Sequence, residues 1–325
     1  MSPSISVAMC TFNGGRFLTE QLQSIAAQER PPDELVICDD GSSDETLEIV
    51  KEFARRCAFA TLFVANEGKL GSTKNFEKAV SLCRSNIVAL ADQDDVWYPH
   101  KLASIEKTFL ESNETVATFS NADLIDERSR LLGLRLWSAF SFDAGEQDKF
   151  ANHRALEVLV KHPVVTGATM AFRRELFDLV IPIPANHIHD RWISFLLAAR
   201  GKFEAIRAPL MQYRRHGEQQ AGLPPQVHAE LIKQAKSRGR SFHLKEIKLF
   251  QEIHARLRER EADFPYASFA LIEIEKKVSH LALRAHLPPQ RLARIPLVLR
   301  ESFNLGYWRY SAGWNSIAKD LIIGC

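Results

Sequence analysis

The chain is short of the features that would announce its class at once. Its 325 residues hold five cysteines, Cys10, Cys38, Cys57, Cys83 and Cys325, an odd number with no CxxC spacing. That usage suggests neither a disulfide framework nor a zinc site, and a reduced cytoplasmic setting is the expectation. No uninterrupted apolar run approaches the roughly 18 residues of a membrane-spanning helix. Met1-Ser-Pro-Ser-Ile-Ser6 has neither a basic n-region nor an apolar h-region, so no export signal is expected. Charge of one sign is lacking as well: 42 Lys and Arg stand against 40 Asp and Glu. Such a balance argues against a general nucleic-acid binder. Internal repeats and low-complexity tracts are absent.

What is present is one plan repeated. Ile5 to Cys10 is a short apolar strand ending in Thr11-Phe-Asn-Gly-Gly15, a turn whose glycines let the backbone approach a ligand. Phe17, Leu18, Leu22 and Ile25 follow at helical spacing, and Pro31-Pro32 ends that segment. Glu34-Leu-Val-Ile-Cys-Asp-Asp40 repeats the strand and ends in two carboxylates. Ser42 with Glu45 then predicts a capping box for a helix bearing Leu47, Val50, Phe53 and Cys57. A third unit runs through Thr61-Leu-Phe-Val64 and a helix with Phe76, Val80 and Cys83 on its buried side.

The fourth strand, Ile87-Val-Ala-Leu-Ala91, stops abruptly at Asp92, Asp94 and Asp95, three carboxylates within four residues. Packed so close beside an apolar strand, they need water, donors or a cation to offset their repulsion. A hard divalent ion such as Mg2+ or Mn2+ satisfies that need and leaves positions open for phosphates.

Four strands and three helices in about ninety residues predict right-handed crossovers and a largely parallel sheet. Ligands of such sheets bind outside the carboxyl ends of the strands, where Thr11, Asn13, Asp39, Asp40, Asp92 and Asp94 fall. Further on, Leu102, Ile105 and Phe109 predict a helix, Thr115 to Ser120 a strand, and Asn121 to Asp148 a long loop. Val164 to Phe172 reads as a strand interrupted by Gly167. Asp190 sits at the predicted N-terminus of a helix over Arg191 to Ala199, where a carboxylate is favoured. The strand signal ends near Tyr213-Arg-Arg-His-Gly217, and Gly222-Leu-Pro-Pro225 marks a boundary. The expected organisation is therefore an α/β domain over residues 1–222 and a helical region over 223–325.

Six motifs occur in an order that resembles the family 2 inverting glycosyltransferases of the GT-A fold, especially bacterial rhamnosyltransferase-like members. They are Thr11-Phe-Asn-Gly, Asp39-Asp-Gly-Ser-Ser-Asp44, Asp92-Gln-Asp-Asp-Val-Trp97, Gly167-Ala-Thr-Met-Ala-Phe172, His189-Asp190 and Tyr213-Arg-x-His216. The resemblance covers roughly residues 4–220. It implies a Rossmann-like GT-A domain, with Thr11 and Asn13 lining a nucleotide pocket and Asp40, with Asp39, meeting a pyrimidine base. It also implies a donor-binding role for Lys74, a DxD pair in Asp92 and Asp94 with Asp94 holding the metal, Asp190 as catalytic base, and His216 in a loop closing over the diphosphate. Cys10 and Phe12 depart from the family's usual proline and tyrosine. The implied donor is a dTDP- or UDP-sugar, and the implied acceptor a saccharide of the cell surface, free or carried on a polyprenyl lipid.

The chemistry agrees. A departing nucleoside diphosphate gathers negative charge that a divalent cation stabilises. One separate carboxylate suffices to take the acceptor's proton in a single in-line displacement. Taken singly, Asp39 and Asp40 also suit a turn, Asp190 a helix cap, Lys74 an exposed helix and His216 a solvated basic loop. Asp92-Gln-Asp-Asp-Val also fits the DxDx[TV] pattern of haloacid-dehalogenase-like phosphatases, with Asp92 as nucleophile, and a non-catalytic nucleotide-sugar binder is the third alternative.

The C-terminal part is basic. Between Arg284 and Cys325 six Lys and Arg face only Glu301 and Asp320. Phe303, Tyr307, Tyr310, Trp314, Ile317 and Leu321, spaced four and three alternately, predict one face of a single amphipathic helix, packed or lying on a membrane surface. Peripheral membrane contact through residues 284–325 is the corresponding expectation.

Overall fold

Apolar runs that end at polar turns become parallel strands. In a computed structural model, which describes residues 2–217 and 239–323, β1 (Ile5–Thr11), β2 (Glu34–Asp39), β3 (Ala60–Ala65) and β4 (Ile87–Ala91) lie in the order β3-β2-β1-β4, all parallel. Crossover helices α1 (Gly15–Ala26), α2 (Thr46–Arg56) and α3 (Ser72–Leu82) join them. Thr11 pairs with Asp39, and Met9 with Ala91. That register sets Thr11, Asp39 and the Asp92 turn along one carboxyl edge, as the repeated strand plan predicts.

The sheet then changes direction. A two-residue strand, β5 (Val96–Trp97), precedes α4 (Lys101–Glu111), β6 (Thr115–Ile125) and β7 (Leu131–Arg135). Short helices α5 (Leu136–Ala139), α6 (Ala144–Ala151) and α7 (Ala155–Leu159) follow, then β8 (Met170–Arg173), α8 (Phe177–Val180), α9 (His189–Arg200) and β9 (Lys202–Arg214). β8 is antiparallel to both β4 and β6, while β9 runs parallel to β6 and antiparallel to β5.

Three expectations need correction here. Asn121 to Asp148 is not a loop: β6 continues to Ile125, turns into β7, and the following residues are helical in part. Trp137 and Phe142 pack with Phe119, Phe150 and Phe203 at ring separations of 4.9–5.8 Å, so aromatic burial overrides a charged local composition. Gly167 does not interrupt a strand; Gly167–Thr169 is a 3₁₀ turn and the strand begins at Met170. The Ser42–Glu45 capping box does not form either. The Ser42 hydroxyl donates to Asp39 at 2.5 Å, and Asp44 accepts the Thr46 N–H instead.

Two compact units are formed, Met1–His153 with Val165–Gly222, and Arg154–Val164 with Leu223–Cys325. The chain's course at the Gly222 boundary lies outside the described residues, as do residues 226–238 of the expected helical region. In the second unit, α10 (Arg240–Glu259) packs along α11 (Ala267–Ala285), and α12 (Arg291–Phe303), α13 (Gly306–Tyr310) and α14 (Trp314–Ile322) each give one residue to a core of Val298, Tyr307 and Ile317. The predicted single helix face is thus broken over three helices. Leu305 and Gly313 adopt positive φ angles of 59° and 55°, conformations that end a right-handed helix. Tyr307, Tyr310 and Ile317 turn inward while Phe303 and Trp314 stay exposed.

Arg284 forms a two-pronged ion pair with Asp320 at 2.7 and 3.0 Å, and Tyr307 donates to the same carboxylate at 2.8 Å. Near this network His243 is buried with neither ring nitrogen hydrogen-bonded. Burial first, then the Arg284 charge, lowers its pKa from 6.5 to about 3. A lowered folded-state pKa means that the unfolded chain takes up the proton first as pH falls below 6.5. His243 therefore contributes stability above pH 6.5 that is lost progressively toward pH 3, at up to about 1.4 kcal/mol per pH unit. Urea unfolding at pH 7 and 5 should show the native protein losing more stability than His243→Leu; equal losses would refute the assignment.

Candidate active site

The turn after β1 is held by side chains from the neighbouring strand ends. Phe12 N–H donates to Gln93 Oε1 at 2.8 Å and Gln93 Nε2 donates back to Phe12 O at 3.0 Å. Asn13, at φ 47°, donates its N–H to the Ser42 hydroxyl and accepts from Ser43 N–H at 2.9 Å through Oδ1. Gly14 and Gly15 donate to Thr46 Oγ1 and Asp44 Oδ2, both at 2.9 Å. A Cβ on Gly14 would meet Gln93 Oε1 at 2.3 Å, so a side chain there would displace the amide that clasps Phe12.

Asp39 and Asp40 are both buried and both engaged. Asp39 accepts from Thr11 Oγ1 at 2.8 Å and from Gly41 and Ser42 N–H. Asp40 accepts from Leu70 N–H at 2.6 Å and Gly71 N–H at 2.9 Å, which fixes the loop leading into α3. Lys74, in the first turn of α3, pairs with Glu77 at 2.8 Å, and Glu77 also accepts from Ile183 N–H. Thr11, Asn13, Asp39 and Asp40 therefore share one tied set of loops, while the Lys74 amine is turned to its own helix.

The acidic cluster lies at the end of β4. One carboxylate oxygen from each of Asp92, Asp94 and Asp95 falls within 4.8 Å of the others. Asp95 is wholly buried: Oδ1 accepts from Arg214 N–H at 3.0 Å and Oδ2 has no partner among the described residues. Burial, then the charges of Asp94 and Asp190, raise the Asp92 pKa to about 7. Burial, then the charges of Asp94 and Asp92, also raise Asp95 well above the usual carboxylate range. An all-oxygen donor set with one orphaned buried oxygen and mutually raised pKa values fits a hard divalent cation.

Asp190 stands in the first turn of α9, its Oδ2 accepting from Gly167 N–H at 3.2 Å. A Cβ on Gly167 would lie 2.7 Å from His189 Nε2, so the 3₁₀ turn presses directly on this pair. His189 stacks on Phe76 at 4.2 Å, and burial holds its ring toward the neutral form. His216 reaches Asp94 Oδ2 at 2.7 Å and rests against the Phe17 ring. Asp92, Asp94, Asp190 and His216 thus converge, although they come from three separate stretches of sequence.

A match to the family model described as "Glycosyl transferase family 2" spans residues 6–180 and takes in the Thr11, Asp39-Asp40 and Asp92–Asp95 motifs. The chain belongs to glycosyl transferase family 2. An uncharacterized glycosyltransferase of Nostoc sp. is 28% identical over 66% of this chain and 65% of its own length. Another, from Methanocaldococcus jannaschii, is 26% identical over 65% of this chain and 71% of its own length. The match therefore spans slightly under two thirds of the Nostoc relative. In fold, the chain is similar to S. aureus TarS 1-349, with TM-score 0.56 and 16% identity over 94% of this chain and 77% of that one. A TarS 1-349 structure in complex with UDP-GlcNAc gives the same TM-score at 19% identity, covering 92% and 77%. Family membership removes the ground for the phosphatase alternative, since the Asp92 run lies inside the matched span.

Two buried cations complete this family 2 site, and sequence pattern gave neither a role. Lys101 is fully buried in the first turn of α4, donating to Ala168 O at 2.8 Å with its amine 3.9 Å above the Trp97 ring. Burial lowers its pKa to about 7 against the opposing pull of Asp95 and Asp92. Arg214, also fully buried, donates to Asp94 O at 2.6 Å, Asp126 O at 3.2 Å, Ser129 Oγ at 2.9 Å and Glu20 Oε2 at 2.5 Å. Its guanidinium lies 4.6 Å from the Phe17 ring centroid. Such a planar five-donor group suits a junction of several carbonyls and a carboxylate better than lysine does.

Proposed function

We propose that this chain transfers a sugar from a nucleoside-diphosphate sugar to an acceptor hydroxyl, with inversion at the anomeric carbon. The observation that carries the reading is the convergence of Asp92, Asp94 and Asp95 beside a separate carboxylate, Asp190, in a family 2 chain. Thr11, Asn13, Asp39 and Asp40 line the nucleotide side, where Asp39 and Asp40 act chiefly by fixing loops through the hydrogen bonds they accept. Asp92 and Asp94 would hold Mg2+ or Mn2+, which offsets the negative charge growing on the departing diphosphate. Asp190 takes the acceptor proton as the hydroxyl oxygen bonds to the anomeric carbon and the carbon–diphosphate bond breaks on the opposite face. His216, already bonded to Asp94, sits where it orients that carboxylate and closes the diphosphate side. Lys74 reaches a donor only after leaving Glu77.

Two donors head the list for assay. The motif resemblance favours dTDP-rhamnose, and the TarS neighbour's complex with UDP-GlcNAc favours a UDP-sugar. The acceptor proposed is a saccharide, free or polyprenyl-linked, met on the cytoplasmic side. A thermal-shift screen of UDP, dTDP, GDP and CDP, each with and without Mn2+, is the test. A ligand held at about 100 times its Kd adds about 2.7 kcal/mol of stability, so UDP or dTDP should raise Tm only when the metal is present. If none of the four nucleotides does so with Mn2+ or Mg2+, the reading fails.

A further inference from the structure

The helix α12 is amphipathic in the wrong sense for a protein wholly surrounded by water. Its inward side is carried by Arg294 and Val298, which pack into the second unit. On its other side Leu292, Ile295, Leu299 and Phe303 are exposed, Leu292 by 81% and Phe303 by 85%. At 3.6 residues per turn these four fall within an arc of about 80°. Arg291 and Arg300 are exposed and fall on the two flanks of that arc. At the start of α14, Trp314 is 73% exposed and packs edge-on against Trp308 of α13 at 5.5 Å.

Charge decides what this face meets. Between His286 and Ile323 the only carboxylates are Glu301, which pairs with His280 at 2.7 Å, and the fully buried Asp320. The acids thus point inward while Arg291, Arg300 and Arg309 point out. Association with a second copy through the same face would bring this arginine-flanked stripe against itself, setting like charges together. An apolar stripe bordered by arginines, followed in the chain by exposed tryptophans, matches the interface of an anionic bilayer.

We infer that α12 is an interfacial membrane anchor, lying flat with Leu292, Ile295, Leu299 and Phe303 among the acyl chains and Arg291 and Arg300 at anionic headgroups. The anchor is independent of the sugar-transfer reading and stands if that reading fails. It also differs from the face expected from sequence, since Tyr307, Tyr310 and Ile317 are interior residues. The test is cosedimentation of the full chain with phosphatidylcholine vesicles, and with vesicles also containing phosphatidylglycerol. Binding should favour the anionic vesicles and weaken as salt rises from about 0.1 M to about 1 M. Arg291→Gln with Arg300→Gln should weaken it by about fivefold per charge. Leu299→Ser with Phe303→Ser should weaken it by about 100-fold, at unchanged Tm because both side chains are exposed. No vesicle binding, or binding indifferent to both double variants, would overturn the inference. So would a concentration-dependent dimer that the Phe303 variant dissolves while vesicles leave the protein in solution.

Discussion

Asp190→Asn should lower sugar transfer at saturating donor by about 10²–10⁴-fold and leave Tm and metal-dependent nucleotide binding in place. Asparagine keeps the carbonyl that accepts from Gly167 N–H, so the bond between the 3₁₀ turn and α9 survives. What it cannot do is take a proton. The loss should therefore appear in kcat, with donor KM nearly unchanged, because the amide still fills the same volume. Neighbouring His189 offers no substitute base, since its ring is buried under Phe76. A variant that turns over at more than about a tenth of the native rate would remove Asp190 from the proton-transfer role. Simultaneous loss of nucleotide binding would instead make it a structural cap.

The first ninety residues were legible because each strand, turn and helix follows from local pattern, and because right-handed crossovers leave little freedom in assembling them. The carboxyl-edge position of Thr11, Asp39 and Asp92 follows from that topology. Residues paired across long sequence separations were not legible. Gln93, the middle residue of the acidic motif, looks like a spacer until it is seen clasping the Phe12 peptide. Lys101 has the local setting of an exposed helix lysine, yet it is buried because α4 starts beneath the acidic cluster. Arg214 acquires its role from the alignment of β9 with β5 and β6, a pairing that no short window of sequence encodes. In the C-terminal unit a four-three spacing resembled one helix. Left-handed Leu305 and the close approach of Gly306 to Glu301, where a Cβ would lie 1.8 Å from Oε1, mark where the chain turns out of that single helix.

Asp94→Asn should abolish the Mn2+-dependent nucleotide shift while leaving the metal-free protein as stable as the native chain, or more so. Asp94 is central to the electrostatics of the cluster: its charge raises both Asp92 and Asp95. Neutralising it relieves that repulsion in the absence of metal, when Lys101 and the Arg214 peptide oppose the buried acids. The Arg214 contact to Asp94 uses the backbone carbonyl and survives the substitution. His216 retains an acceptor in the amide oxygen, so the fold around the cluster should persist. Metal affinity should fall by more than about 100-fold, beyond the usual cost of disturbing a residue that merely supports a ligand, and transfer should fall with it. Calorimetric titration of Mn2+ with UDP or dTDP into both proteins, beside their metal-free Tm values, separates the two effects. Stability gained together with cation binding lost is the expected mark of repulsion stored for a ligand. A variant that still binds Mn2+ with nucleotide at native strength would move the metal site off Asp94. A variant that merely unfolds would make the carboxylate a structural partner of His216.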